Sequence, residues 1–224
     1  MTELFKTTLF IHIGTGMVAV AVGLLPLLTR KGGRLHRLAG RTFALFMATL
    51  LVCAWVMTAL DFRTYFAALS ATATIALFSG VRVLRRKRPD IRAEDRAGWL
   101  DWIVTVGVIL VGLSVLLSLL TGRSDGPAAV SWALVYASLT YGGWDLWRFL
   151  RPTDWPFSPD LWMYEHLAKM LSAYGAVLSA FSGNFLTALP PPWSQLWPTL
   201  VFQPLAIAWI ISLAIKRRHL RSPA

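Results

Sequence analysis

Seven long apolar runs govern what this chain can fold into. They cover about Thr7 to Thr29, Arg34 to Leu60, Tyr65 to Leu84, Trp99 to Thr121, Ala129 to Leu150, Leu161 to Leu186 and Pro198 to Ile215. A run of roughly 20 residues, rising about 1.5 Å per residue as a helix, crosses a hydrocarbon core of about 30 Å. Lipid offers no hydrogen bonds, so a crossing segment must satisfy its own backbone as a helix or within a closed barrel. Barrel strands alternate apolar with polar residues. These runs are continuous, so they predict an all-α polytopic membrane helix bundle. The expected organisation is one transmembrane domain over residues 1–224, without an internal repeat or a separate soluble domain.

Composition agrees with this. Hydrophobic residues make up 56% of the chain and charged residues 15%, against about a quarter charged in soluble domains. Mean hydropathy is +0.56. The net charge of +11 raises the question of nucleic acid. The Lys and Arg residues fall between apolar runs, and no basic stripe alternates with stacking aromatics, so no nucleic-acid partner is expected. Cys53 is the single cysteine and lies inside an apolar run, which predicts a small buried core residue and excludes an internal disulfide. Ala19-Val20-Ala21 resembles a signal-peptidase box. The near-neutral start and the continuation of the run to Leu28 predict a retained helix instead.

The loop charges set an expected orientation. Eighteen of the 22 basic residues fall on one side of a seven-span arrangement: Arg30, Lys31, Arg34, Arg37 and Arg41; Arg82, Arg85, Arg86, Lys87, Arg88, Arg92 and Arg96; Arg148 and Arg151; and Lys216, Arg217, Arg218 and Arg221. The positive-inside rule then predicts N-terminus out and C-terminus in, in a bacterial cytoplasmic membrane. Six or eight spans would break the pattern. Gly32-Gly33 predicts a tight turn that makes the first two helices antiparallel neighbours. Pro190, Pro191, Pro192 and Trp193 predict a stiff interfacial loop, and Pro204 a kink in the last helix. Small residues predict packing faces: Gly16, Ala19 and Gly23 beside His12; Gly40 on the second helix; Ala68, Thr72, Ala76 and Gly80 on the third; and Ser172, Ala176 and Ala180 on the sixth.

Ionisable residues inside spans are costly and are candidates for function. They are His12, Asp101, Asp145, Glu165, His166 and Lys169, with His36 opening the second helix. All but His12 fall in the cytoplasmic half. His166 continues a face through Met170, Tyr174, Val177 and Phe181 that is expected to point inward. Simple neutralisation within a helix is also possible, Asp145 with Arg148 at i+3 and Glu165 with Lys169 at i+4. Asp101 beside Trp99 and Trp102 also fits a plain interface residue, and His219 a solvated tail residue. Haem ligation needs two histidines at one depth. His36 and His166 match, whereas His12 lies about half a bilayer away. A divalent-metal site from His36, His166 and Asp101 or Glu165 fits the same depth, without a recognised ligand spacing. No hydrolase elbow or phosphate-binding loop occurs.

Two stretches carry a resemblance. The first is His12-Ile13-Gly14-Thr15-Gly16, then Lys31-Gly32-Gly33-Arg34-Leu35-His36-Arg37-Leu38-Ala39-Gly40-Arg41 and Met47. The second is Glu165-His166-Leu167-Ala168-Lys169-Met170, Tyr174, and Ala180-Phe181-Ser182-Gly183-Asn184. Together they resemble a large bacterial family of predicted multi-pass membrane proteins classed as a domain of unknown function. The resemblance implies His12, His36, Arg37, Gly40 and His166 as site residues and brings no reaction with it. The middle helices match only in hydrophobicity.

Three functions fit the sequence. One is a redox protein whose cofactor-binding residues His12, His36 and His166 hold haem, a metal or a quinone. Another is a proton-coupled transporter with Asp145, Glu165, His166 and Lys169 as relay. The third is a non-catalytic assembly partner in the lipid bilayer.

Overall fold

A computed structural model describes residues 3–153, 159–186 and 188–221, with 218–221 described by backbone alone. The described residues are helical with no strand. We number the helices α1 Glu3–Gly23, α2 Leu25–Leu28, α3 Arg34–Leu60, α4 Thr64–Arg82, α5 Trp99–Leu120, α6 Ala128–Leu150, α7 Leu161–Phe185 and α8 Trp193–Arg221. The side chain of His219, expected in a solvated tail, lies outside the described residues.

The first expected helix is divided. Pro26 has no N–H to give to the preceding turn, so α1 ends at Gly23 and α2 restarts with proline in its first turn. Gly32 then adopts a left-handed φ of 73°, which glycine tolerates without steric cost. The chain reverses there, and α1 packs along α3 as the antiparallel neighbour expected. The last helix is longer than expected. It begins at Trp193, directly after the proline run, and stays helical through Pro198 and Pro204. Cys53 is buried as a free thiol.

Helix α4 is the central element. Ala73, Ala76 and Leu77 join Ala19 of α1, Phe43 and Met47 of α3, and Tyr174 and Val177 of α7 in one apolar core. Ala68 packs with Val115 of α5 and Val130, Leu134 and Val135 of α6, and Ala71 and Ile75 pack with Val108 of α5. One helix can serve cores on opposite faces only if its side chains are small enough for neighbours to approach on both. The alanine-rich sequence of α4 supplies that.

Five helical segments are long and apolar enough to cross a membrane: Glu3–Leu28, Arg34–Leu60, Thr64–Arg85, Ala93–Leu120 and Trp193–Arg217. Helices α6 and α7 are of similar length and carry the buried Asp145, Glu165 and Lys169.

The glycine expectations divide. A Cβ at Gly16 would sit 3.0 Å from Leu50, and one at Gly23 only 2.5 Å from the Tyr174 ring and 2.8 Å from Phe43. At Gly40 an added Cβ would meet nothing within 4 Å. The packing role expected of Gly40 is therefore corrected, because its Cα faces open space. Gly23→Ala should lower stability by about 1–3 kcal/mol through overpacking, whereas Gly40→Ala should stay within about 0.5 kcal/mol of the parent. Thermal unfolding of the two purified variants checks this contrast. Equal effects would contradict it.

Candidate functional site

Helix α6 runs toward the basic end of the bundle and α7 runs away from it. The spacing Ser138, Tyr141, Asp145, Arg148 puts four polar groups on one face of α6, and Glu165, Lys169, Ser172 does the same on α7. Facing each other, the two stripes form rungs about 5.4 Å apart, one per helical turn.

The rung nearest the basic end is centred on Glu165. Its Oε1 accepts from Trp144 Nε1 at 2.6 Å and from Arg148 Nε at 3.2 Å. The next rung is the Lys169–Asp145 ion pair, with Nζ 2.5 Å from Oδ1. Ser79 of α4 closes it: its hydroxyl donates to Asp145 Oδ2 and accepts from Lys169 Nζ at 2.6 Å. Both charged side chains of this rung are only 2% exposed. One turn further on, Tyr141 and Ser172 share a hydrogen bond, and Gln203 Nε2 of α8 donates to both oxygens at 3.1 Å. Thr72 and Ser138 follow at 2.9 Å. The Thr72 hydroxyl donates to Ala68 O at 2.8 Å, so it accepts from Ser138.

The carboxylates thus take partners across helices. The expected pairs within one helix, Asp145 with Arg148 and Glu165 with Lys169, are replaced by Asp145 with Lys169 and Glu165 with Arg148. Close approach of α4 makes room for the triad. A Cβ at Gly80 would lie 3.1 Å from Lys169 Cβ and 3.0 Å from Met170 Sδ.

Asp101 has a structural position. It receives the Gly98 N–H at 2.9 Å at the start of its own helix and both Nε and Nη2 of Arg82, at 3.0 and 2.7 Å. It therefore ties the start of α5 to the end of α4.

The three histidines share one feature. Nδ1 of His12 lies 3.1 Å from Leu50 O, that of His36 3.2 Å from Pro26 O, and that of His166 2.7 Å from Gly80 O. A carbonyl only accepts, so each Nδ1 carries the proton. His36 is tied to the Pro26 carbonyl at the first turn and His166 to the Gly80 carbonyl of α4. His12 is held apart by its bond to α3. Arg37 donates to Gly32 O at 2.6 Å and braces the first turn. Among the described residues, no three or more of His, Cys, Asp and Glu gather as a metal site. The expected set of His36, His166, Asp101 and Glu165 is not brought together, because both carboxylates are held by arginines.

A small cleft opens at the basic end and reaches the ladder. Its lining includes Arg86, Arg96, Asp145, Arg148, Phe149 and Glu165. It has room for about one water molecule, far below the roughly 300 Å³ of the smallest ordinary cofactor pockets.

The residues missed from sequence are Ser79, Ser138, Tyr141, Trp144 and Gln203, and Ser172 was read only as a packing residue. The polar stripe at 138, 141, 145 and 148 was a usable signal, since it interrupts an otherwise apolar helix at helical spacing. No comparable signal marked Ser79 or Gln203.

Fold and site define a class: an all-helical bundle with several helices fit to cross a membrane and a buried ion-pair ladder at its centre. No family model, curated protein or solved structure matches the chain.

Removing one partner of a buried ion pair strands a charge and costs about 3–5 kcal/mol, whereas replacing both by apolar residues is often neutral. Asp145→Leu and Lys169→Met should each destabilise strongly, and the double variant less than either. A double-mutant cycle by denaturant unfolding measures the coupling. Additive losses would show that the pair does not interact.

Proposed function

We propose that this is a seven-span protein of the bacterial cytoplasmic membrane that couples its action to proton movement through the Lys169–Asp145 pair. The basic end faces the cytoplasm, with the N-terminus out and the C-terminus in, following the positive-inside rule. Helices α6 and α7 complete the seven spans. Their charges face each other inside the bundle, which offsets the cost of placing them at membrane depth.

One observation carries the reading. A carboxylate and an ammonium are paired and both almost fully buried, and the carboxylate, Asp145, lines a cleft at the basic end. A proton arriving through the cleft neutralises Asp145. The ion pair is then broken, and the Lys169 ammonium is left without its counter-charge in a low-dielectric site. That state is costly, and it is relieved when Lys169 gives up a proton on the far side. Ser172 and Tyr141 lie one turn further along the two helices, so the polar face continues in that direction. Glu165 stands at the mouth as the first acceptor. Ser79 bridges the pair and keeps acid and base aligned.

In proteoliposomes with a trapped pH dye and a potassium diffusion potential, the wild-type chain should acidify or alkalinise the lumen according to the sign of the potential. Asp145→Asn and Lys169→Met should abolish the flux, and Glu165→Gln should slow it by about tenfold or more, as expected for loss of a positioned acid–base group. Wild-type flux no greater than that of empty liposomes, with or without cytosolic solutes inside, would overturn the reading.

The histidines support a second reading. Each Nδ1–H is fixed by a backbone carbonyl, the arrangement that holds Nε2 ready as a ligand. His36 and His166 at one depth would serve a haem, metal or quinone redox site, with His12 apart. A reduced-minus-oxidised spectrum lacking a haem band, with no bound metal and no response to quinone, removes it.

A further inference from the structure

Arg86 follows α4 and the 3-10 turn Val83–Arg85. Its side chain is 9% exposed. The guanidinium lies over the Phe149 ring, 4.7 Å from its centroid. Nε is buried without a hydrogen-bond partner, 3.8 Å from Asp101 Oδ1. That carboxylate is already engaged by Arg82 through two hydrogen bonds and by the Gly98 N–H. One carboxylate therefore serves two guanidiniums, and one positive charge is in excess.

None of the other neighbouring acids bonds the Arg86 side chain. Glu165 accepts from Trp144 and Arg148, and Asp145 is held by Lys169 and Ser79. Asp90 takes the Arg88 fork at 2.9–3.2 Å, and those hydrogen bonds hold its carboxyl below the usual carboxylate range. Asp95 also lines the cleft; it accepts the Arg88 backbone N–H at 2.8 Å and forms no ion pair with Arg86 among the described residues. A guanidinium carries five N–H donors. Burying one without hydrogen bonds is expensive.

Arg86 lines the cleft described above, together with the exposed Arg96. A planar fork of donors suits the paired oxygens of a carboxylate or phosphate. The water-sized room suits the oxygen end of such a group and excludes a bulky ligand. We propose that the cleft at the basic end is an oxyanion site in which Arg86 holds a carboxylate or phosphate group. The inference goes beyond the proton-coupled reading and does not depend on it. The cleft also reaches Asp145.

The oxyanion has two possible sources, a small free anion or the phosphate of an anionic lipid. The full-length chain in neutral detergent is titrated calorimetrically with sodium acetate and with sodium phosphate, at fixed ionic strength in sodium chloride. The titrations are repeated in nanodiscs of zwitterionic lipid with and without phosphatidylglycerol. Saturable binding of acetate or phosphate is expected, weakened about tenfold or more in Arg86→Gln, as the loss of charge-assisted hydrogen bonds implies, and largely kept in Arg96→Gln. Arg86→Lys, which keeps the charge but loses the fork, should be intermediate. Competition by phosphatidylglycerol assigns the lipid source, and its absence assigns the free anion. If Arg86→Gln does not fold, the wild-type titration and Arg86→Lys decide. No saturable binding of acetate, phosphate or phosphatidylglycerol by the wild type overturns the proposal, as does binding that Arg86 variants leave unchanged.

Discussion

The ion pair between Lys169 and Asp145 is the constraint around which this bundle is organised. A lysine and an aspartate, each 2% exposed, are tolerable only with opposite charge at contact distance and hydrogen bonds on the remaining atoms. Meeting that condition fixes three helices at once. Helix α6 must present Asp145, α7 must present Lys169, and α4 must come close enough for Ser79 to bridge them. Gly80 permits that approach, because a side chain there would press on Lys169 and Met170. The apolar cores on the two faces of α4 hold the same three helices in place.

The same rung separates two kinds of surroundings. Toward the basic end, the ladder meets charged residues and a water-sized cleft. In the other direction it passes to the hydroxyls and amide of Tyr141, Ser172 and Gln203, and then to Thr72 and Ser138. Charged groups that can exchange protons therefore lie toward the cleft. Neutral hydrogen-bonding groups lie away from it. This gradient is why a proton-coupled reading suits the geometry better than a cofactor buried in the bundle. Arg82, Asp101 and Arg86 form a second charged cluster at the same end, and it ties the α4–α5 connection to the mouth of the cleft.

The helices were legible in the sequence because hydrophobic run length is a strong signal and lipid permits few alternatives. Boundaries moved where local chemistry decided them: Pro26 divided the first helix, and the segment from Trp193 lengthened the last. The position of each ionisable residue along its helix was legible too. Facing was not. Nearest-neighbour spacing pairs Asp145 with Arg148 and Glu165 with Lys169, yet tertiary packing exchanges the partners between helices. Periodicity within one helix cannot see this, because the energy that decides it comes from a partner at a sequence separation of 24 residues for Asp145 and Lys169. Ser79 was invisible for the same reason. Gly40 looked like a packing glycine from its motif and faces open space instead.

The central claim is that Lys169 is a buried ammonium held by Asp145. Solid-state NMR of the lysine-¹⁵N-labelled chain in lipid tests it directly, because the sequence contains few lysines and the others, Lys6, Lys31, Lys87 and Lys216, lie near helix ends or in loops. The account predicts one ammonium resonance protected from hydrogen exchange, correlated with an aspartate carboxyl carbon, and displaced when Asp145 is replaced by asparagine. Lysine signals that all exchange freely with water, with none changed by that substitution, would contradict it.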